Sequence, residues 1–248
     1  TRYPLVTGVQ TCALPISAPG SAEPIVIARV TPLERRRSLW RSDPLQQRRA
    51  TEAGDAAGFR GTLKQEQAEE EQERRQEAFN ALCPPLYRES DPKRIPAAFL
   101  RECEAWEVSP QGLGFVGLAG TCKTRAAWML LKRLHFSGVR VFGITATGFA
   151  KACADQWHDD PQAKALAEDT LTRCRRTKVL LLDDIGKQKF TERAELELFD
   201  LLEHRSSHEL PIIWTANAGR EPLKQMLSPD RGEPILRRLS EFTKIITT

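Results

Sequence analysis

The chain has 248 residues, a formal charge of +4 and a sequence pI near 8.8, which allows one domain of ordinary size with additional segments. The mild basic excess is compatible with a nucleic-acid partner but does not demonstrate one. No stretch approaches the roughly 18 apolar residues of a membrane helix, so a helical membrane protein is excluded and a soluble, cytoplasmic protein is expected.

At the N-terminal end, Val6 to Ile16 reads Val-Thr-Gly-Val-Gln-Thr-Cys-Ala-Leu-Pro-Ile. It resembles the translation of a common sequencing-adapter oligonucleotide, and residues 1–17 are set aside as an artefact. The lack of an initiating methionine suits a reading frame assembled from a fragment, and the stretch has neither the charged start nor the sustained apolar core of a signal peptide. From Ala18 to about Arg60 the sequence is rich in Pro, Gly, Ser, Ala and Arg, with basic clusters at Arg35 to Arg37 and at Arg48 and Arg49. So little apolar surface predicts a disordered basic arm over 18–60. It is either a solvated linker or an arm that touches phosphate backbones.

Residues 61–95 read as a charged helix and a connector. Leu63 to Leu82 lacks Pro and Gly and is dominated by Glu, Gln, Ala and Arg, strong helix formers. Its apolar residues Ala78, Phe79 and Leu82 gather at the end, so that end is the one ready to dock. Cys83 to Pro96 carries four prolines and reads as extended. Ala97 to Trp106 then has the spacing of a short amphipathic helix and opens a domain expected over 96–248.

Straight after the apolar run Leu113 to Val116 comes Gly117-Leu-Ala-Gly120-Thr121-Cys122-Lys123-Thr124. A glycine-rich turn leading into a helix presents backbone N–H groups and the positive end of the helix dipole to an anion. Lys123 suits the β and γ phosphates of a nucleoside triphosphate, and the Thr124 hydroxyl suits Mg²⁺. The glycine expected before the lysine is replaced by Cys122. Cysteine there is tolerable on a right-handed backbone and strained at positive φ.

Helical periodicity over Lys123 to Phe136 ends at Ser137-Gly138, and Val139 to Thr145 reads as a buried strand. Gly148 to Trp157 and Ala163 to Arg173 read as helices, and Lys178 to Asp184 as a strand running from apolar into acidic. Strands alternating with helices imply an α/β fold with a parallel sheet covered on both faces. Asp183 and Asp184 stand at the C-terminal edge of that strand, where such sheets bind ligands. They fit a Walker B motif: Asp183 holds Mg²⁺ through a water, and Asp184 polarises the attacking water or senses the γ phosphate. The simpler alternative is a pair of acidic residues capping the loop before Ile185-Gly186.

Leu210 to Asn217 forms a further strand ending at Asn217, whose amide can donate to a phosphate and accept from a water. By itself, an asparagine after a strand is more often just a turn residue. Pro234 to Phe242 reads as a short helix bearing Arg237 and Arg238, followed by a strand over Thr243 to Thr247. Arg238 is the candidate to reach ATP bound to a neighbouring subunit, with a surface or DNA-phosphate role as the alternative. Arg173, Arg175, Arg176 and Lys178 form a basic cluster, read either as a phosphate contact or as a helix end complementing its own dipole. The six cysteines, Cys12, Cys83, Cys103, Cys122, Cys153 and Cys174, include no Cys-x-x-Cys pair, and they read as core residues of a reducing compartment.

Taken in order, Gly117 to Thr124, Leu180 to Gly186, Ile213 to Asn217 and Ile235 to Leu239 resemble the AAA+ ATPases of the DnaC/IstB type, helicase loaders and transposition-associated ATP-binding proteins. The resemblance covers about residues 96–248. It implies a P-loop NTPase with a five-stranded parallel sheet in the order 5-1-4-3-2, ATP and Mg²⁺ as ligands, and weak, DNA-stimulated ATP hydrolysis used as a conformational switch. It also implies a homo-oligomeric assembly, contact with single-stranded DNA, and a replicative helicase or transposase as partner. Many such ATPases place glutamate where Asp184 stands. The lid that usually follows the last strand is expected to be short or truncated here, which leaves a second sensor arginine unassigned. A non-hydrolysing, ATP-dependent interaction module is the competing reading. A small-molecule kinase and a GTP-specific protein are disfavoured, because there is no separate acceptor-binding segment and no Asn-Lys-x-Asp element.

Overall fold

The apolar run before the glycine-rich loop forms β1 (Gly112–Val116), with all five residues buried. The structure, a computed structural model, describes residues 65–187, 189–217 and 219–247. The artefact segment 1–17 and the basic arm 18–60 expected from the sequence lie outside these residues. Ahead of β1 come α1 (residues 65–82), α2 (Pro85–Arg88), a 3-10 turn (Pro92–Arg94) and α3 (Ala97–Ala105). After it follow α4 (Lys123–Phe136), β2 (Val141–Thr145), α5 (Ala146–Asp155), α6 (Pro161–Arg176), β3 (Val179–Ile185), α7 (Glu192–Ser207), β4 (Ile212–Ala216), α8 (Arg220–Met226), α9 (Gly232–Phe242) and β5 (Thr243–Thr247).

Every strand pair is parallel, and the sheet order is β2-β3-β4-β1-β5, the 5-1-4-3-2 order implied by the resemblance. Side chains alternate across the sheet, as the two-residue strand period requires. Leu113, Phe115, Leu181 and Ile213 join α4, α3 and the end of α1 in one core. Leu180, Leu182, Ile212 and Trp214 join α5, α6, α7 and α9 in the other. The result is a three-layer α/β fold with a five-stranded parallel sheet flanked by helices.

Two glycines shape this packing. Gly114 lies opposite Trp214 in the β1–β4 register, and a Cβ on it would sit 2.5 Å from the indole. Gly143 in β2 leaves equivalent room for Trp128 of α4, at 2.4 Å.

The end of α1 docks where its apolar residues gather: Phe79 is fully buried and its ring lies edge-on to Trp128 at 6.4 Å between centroids. The segment from Cys83 to Pro96, expected to be extended, instead carries α2 and the 3-10 turn. Proline at the first helical position lacks only an N–H that would be unpaired anyway, so Pro85 and Pro92 start turns instead of preventing them. Asp91 secures the second by accepting from the Lys93 N–H at 2.9 Å.

Two helices, α7 and α8, have no counterpart among the elements expected from the sequence. Thr191 caps α7, its hydroxyl accepting from the Ala194 N–H at 3.2 Å. The buried side of α7 carries Leu198, Leu201 and Leu202 together with Arg205, which is wholly inaccessible to solvent. The Arg205 guanidinium donates to the carbonyls of Cys174 (2.7 Å), Thr177 (3.0 Å), Lys178 (3.2 Å) and Pro211 (2.8 Å). It thereby ties α7 to the C-terminus of α6 and to the starts of β3 and β4. Burial lowers its pKa to about 10, so it stays charged at neutral pH, and the carbonyl-rich end of α6 provides the favourable potential.

Replacing Arg205 by methionine keeps the bulk and leaves these buried carbonyls without partners. We expect Arg205→Met to cost about 3–5 kcal/mol, read as a drop in the urea midpoint, with Arg205→Lys recovering part of it. A loss below about 1 kcal/mol would mean that the carbonyls find other donors.

Candidate functional site

The C-terminal ends of β1, β2, β3 and β4 converge on one side of the sheet, and α4 begins there at Lys123. Gly120, Cys122, Lys123, Thr124, Asp183, Asp184 and Asn217 line a common cavity of about 620 Å³. Gly117 and Thr121 reach the same place through their contacts with Lys123. Most residues expected from the sequence to act together are thus brought together.

The loop turns through left-handed backbone. Gly120 has φ +85° with open space around it, and Cys122 has φ 58° and ψ 23°. The strain that a cysteine introduces at positive φ is therefore present, at a cost on the order of 1–3 kcal/mol. Lys123 is only 5 % exposed. Its ammonium donates to the carbonyls of Gly117 (3.0 Å) and Leu118 (2.7 Å) and to the Thr121 hydroxyl (3.2 Å). All three of its donors are in use. Burial lowers its pKa, and the charges of Asp184 and Asp183 oppose that shift.

Asp183 joins three elements. Its Oδ1 accepts from the Thr124 hydroxyl at 2.9 Å and from the Thr215 hydroxyl at 2.7 Å, linking α4 and β4 to β3. Burial pushes its pKa above the usual carboxylate range, while the bonds from Thr215 and Thr124 pull the other way. The Thr215 hydroxyl also accepts from the Asp184 N–H at 2.8 Å, so one threonine fixes both members of the acidic pair. Asp184 has φ 64°, a conformation that aspartate tolerates better than most residues. Its Oδ1 accepts from the Asn217 amide at 2.8 Å, and its Oδ2 lies 3.1 Å from Lys187 Nζ.

Arg238 stands apart. It lies near the N-terminal ends of the strands beside Pro110, Leu202 and Thr243. It is ion-paired with Glu203 and Glu241, and Phe242 lies 5.7 Å from its guanidinium. Within one chain it does not meet the cavity.

Other residues at the site were not singled out from the sequence. Thr215 had a readable signal, a hydroxyl two residues before Asn217 on a strand beside the acidic one. Lys187 follows Asp184 by one turn. Tyr87 and Arg94 also line the cavity, and Arg125 of α4 lies 5.7 Å over the Tyr87 ring. Their role depends on how the N-terminal segment docks, which no local pattern reveals. Cys103, Cys153 and Cys174 are buried thiols pushed up to about 12 by desolvation, and they lie away from the cavity.

Asp183 gives a pH-dependent prediction. Its native pKa is raised, so the folded chain binds this proton more tightly than the unfolded chain does. Its contribution to stability therefore falls as pH rises from the ordinary aspartate value through the native one. Asp183→Asn removes that penalty while keeping an oxygen for both threonines. We expect the variant to unfold at neutral pH no more easily than the parent, and the parent alone to lose stability across that window. A clearly lower melting temperature for Asp183→Asn at pH 7 would contradict this.

No protein-family model matches the sequence, and no curated protein matches it. Among solved structures, the chain is similar to DnaI, with 20 % identity, a TM-score of 0.51, and coverage of 64 % of this chain and 86 % of that one. It is similar to the same degree to a putative primosome component from Streptococcus pyogenes serotype M3, with 20 % identity, a TM-score of 0.51, and coverage of 67 % and 89 %. DnaA bound to AMPPCP, from Aquifex aeolicus, is 19 % identical at a TM-score of 0.48, and this chain spans only 44 % of its length. Sheet order, loop position and the likenesses to DnaI and to the primosome component agree that the chain has the AAA+ P-loop NTPase fold found in DnaI.

Proposed function

We propose that this protein binds ATP with Mg²⁺ and hydrolyses it weakly, and that it acts in DNA replication as a helicase-loader-like factor. The observation that carries the proposal is the convergence of Lys123, Thr124, Asp183, Asp184 and Asn217 on one cavity. The residues fit the ligands. Thr124 and Asp183 offer hard oxygens suited to magnesium, Lys123 offers a buried cation, and the wall containing Leu86 and Tyr87 offers apolar surface for a base. Magnesium, when bound, neutralises charge on the phosphate oxygens.

In this reading Lys123 exchanges its longest bond, to Thr121, for a phosphate oxygen and keeps its hold on the loop carbonyls. Asn217 and Asp184 hold a water between them for in-line attack. Asp184 faces Asn217 with Oδ1 and Lys187 with Oδ2, and its carboxylate keeps acceptor capacity for that water. Arg238 acts from a neighbouring copy in an oligomer. Because Asn217 is bonded to Asp184, loss of the terminal phosphate is felt at the end of β4 and so at the partner or DNA surface. The fold neighbours DnaI and the putative primosome component make a replication role the natural setting. A transposition-associated protein is the alternative within the same resemblance.

A specific observation favours a second reading. Cys122 and Asp184 both adopt positive φ and both replace the residue typical of such ATPases, as they would in a module that binds ATP without turnover.

The first experiment is phosphate release from ATP by the full chain, with and without single-stranded DNA. We expect slow release that rises with DNA and falls by about 100-fold or more in Lys123→Ala and Asp183→Ala, since each removes a preorganised electrostatic contact. Release that is unchanged in those variants would overturn the hydrolytic reading. Nucleotide binding without release, with activity appearing only in Cys122→Gly/Asp184→Glu, would establish the second.

A further inference from the structure

At the sheet end opposite the nucleotide cavity there is a second cavity of about 570 Å³, where the free edge strand β2 begins. Arg75 of α1, Arg140 just before β2, and Arg173 and Arg176 of the last turn of α6 line it, with His135 beside them and Phe142 on its floor. No aspartate or glutamate is among its lining residues. The basic cluster read in the sequence therefore divides. Arg173 and Arg176 face this cleft, whereas Arg175 turns away to Glu197 at 3.2 Å and Lys178 donates to the Glu209 carbonyl at 3.5 Å.

Two of the four arginines have local partners. Arg75 pairs with Glu71 at 2.9 Å. Arg173 lies 4.2 Å over the Phe142 ring and 4.0 Å from Asp169. Arg140 and Arg176 are exposed, and among the described residues neither has a carboxylate within 4.0 Å. Four guanidinium groups from three separate stretches of chain meet here, and only Arg75 and Arg173 have an acidic partner, so the cleft keeps an excess of positive charge that an anionic ligand would offset. Guanidinium forks match phosphate oxygens two at a time. Ala78, Leu82, Val139 and Val141 add apolar lining among them, which suits a ligand that alternates charge with apolar surface, and single-stranded nucleic acid has that form.

We propose that this cleft binds the phosphate backbone of single-stranded nucleic acid, with Arg140 and Arg176 as its principal contacts. The proposal rests on the nucleic-acid part of the function put forward above and is independent of its nucleotide chemistry. The ligand sits at the far end of the sheet from the ATP cavity, so the two sites do not compete for space.

The test is fluorescence anisotropy of a labelled oligothymidylate with the full chain over a series of salt concentrations. Arg140→Ala/Arg176→Ala is compared with a control of equal charge loss, Arg175→Ala/Lys178→Ala, and thermal midpoints are matched beforehand. We expect the cleft variant to lose about tenfold or more in affinity and to flatten the slope of log K against log salt by about 1.4, the value for two lost single-strand phosphate contacts. The control should change far less. Equal losses in both variants would reduce the effect to net charge and overturn the proposal, as would unchanged affinity in the cleft variant. Absence of oligothymidylate binding by the unaltered chain would overturn both the cleft and the nucleic-acid part of the proposed function, and binding of ATP by the same sample would leave the nucleotide part standing.

Discussion

The ligand end of this fold is organised by a single carboxylate. Asp183 is taken out of water at the end of β3, where its charge is costly, and it survives there because hydroxyls from two other elements turn toward it. Thr124 brings the first turn of α4 and Thr215 brings the end of β4. Remove the carboxylate and the threonines lose the oxygen on which they converge. The loop, β3 and the end of β4 are thereby held in one arrangement by one carboxylate. Stability and chemistry pull in opposite directions at this position, as they often do where buried charge is kept for use.

Much of the fold could be read from periodicity and punctuation. Helix α4 was predicted with its observed limits because its apolar spacing is regular and Ser137-Gly138 marks its end. Strand β5 was likewise predicted over the observed Thr243–Thr247. Helix α7 escaped because Glu195 and Arg205, both buried, interrupt the apolar stripe that would have declared it. Hydrophobic pattern cannot flag a buried position occupied by a charge, and Arg205 is buried only because four carbonyls meet it. Around Pro85 and Pro92 the error was of another kind, since proline serves equally as a helix opener and as a breaker of extended or helical chain.

Within the site, residues that act through sequence-local geometry were legible and those that act through docking were not. The glycine-rich loop and Asn217 each follow a strand and the Asp183-Asp184 pair stands near the end of one, so their placement at one sheet edge follows from a parallel topology. Tyr87 and Arg94 meet the same cavity only because Phe79 and Phe99 anchor the preceding segment against α4 and β1. The departure at Cys122 shows a further limit: the sequence posed the question of its backbone conformation, and only the structure answered it, at φ 58°.

The manner in which Lys123 is held has a consequence for selectivity. An ammonium bonded to two carbonyls and a hydroxyl is not a free cation waiting for a counterion. An entering anion must offer more than the contact it displaces. Chloride or a lone carboxylate offers one weakly held charge and little geometric advantage, whereas a phosphate chain presents several charged oxygens at once and also engages the amides of the helix start. On the function proposed above, a lysine partnered from the outset makes the loop selective by multivalency: small anions gain little at it, and ligands that bring more than one phosphate oxygen gain most.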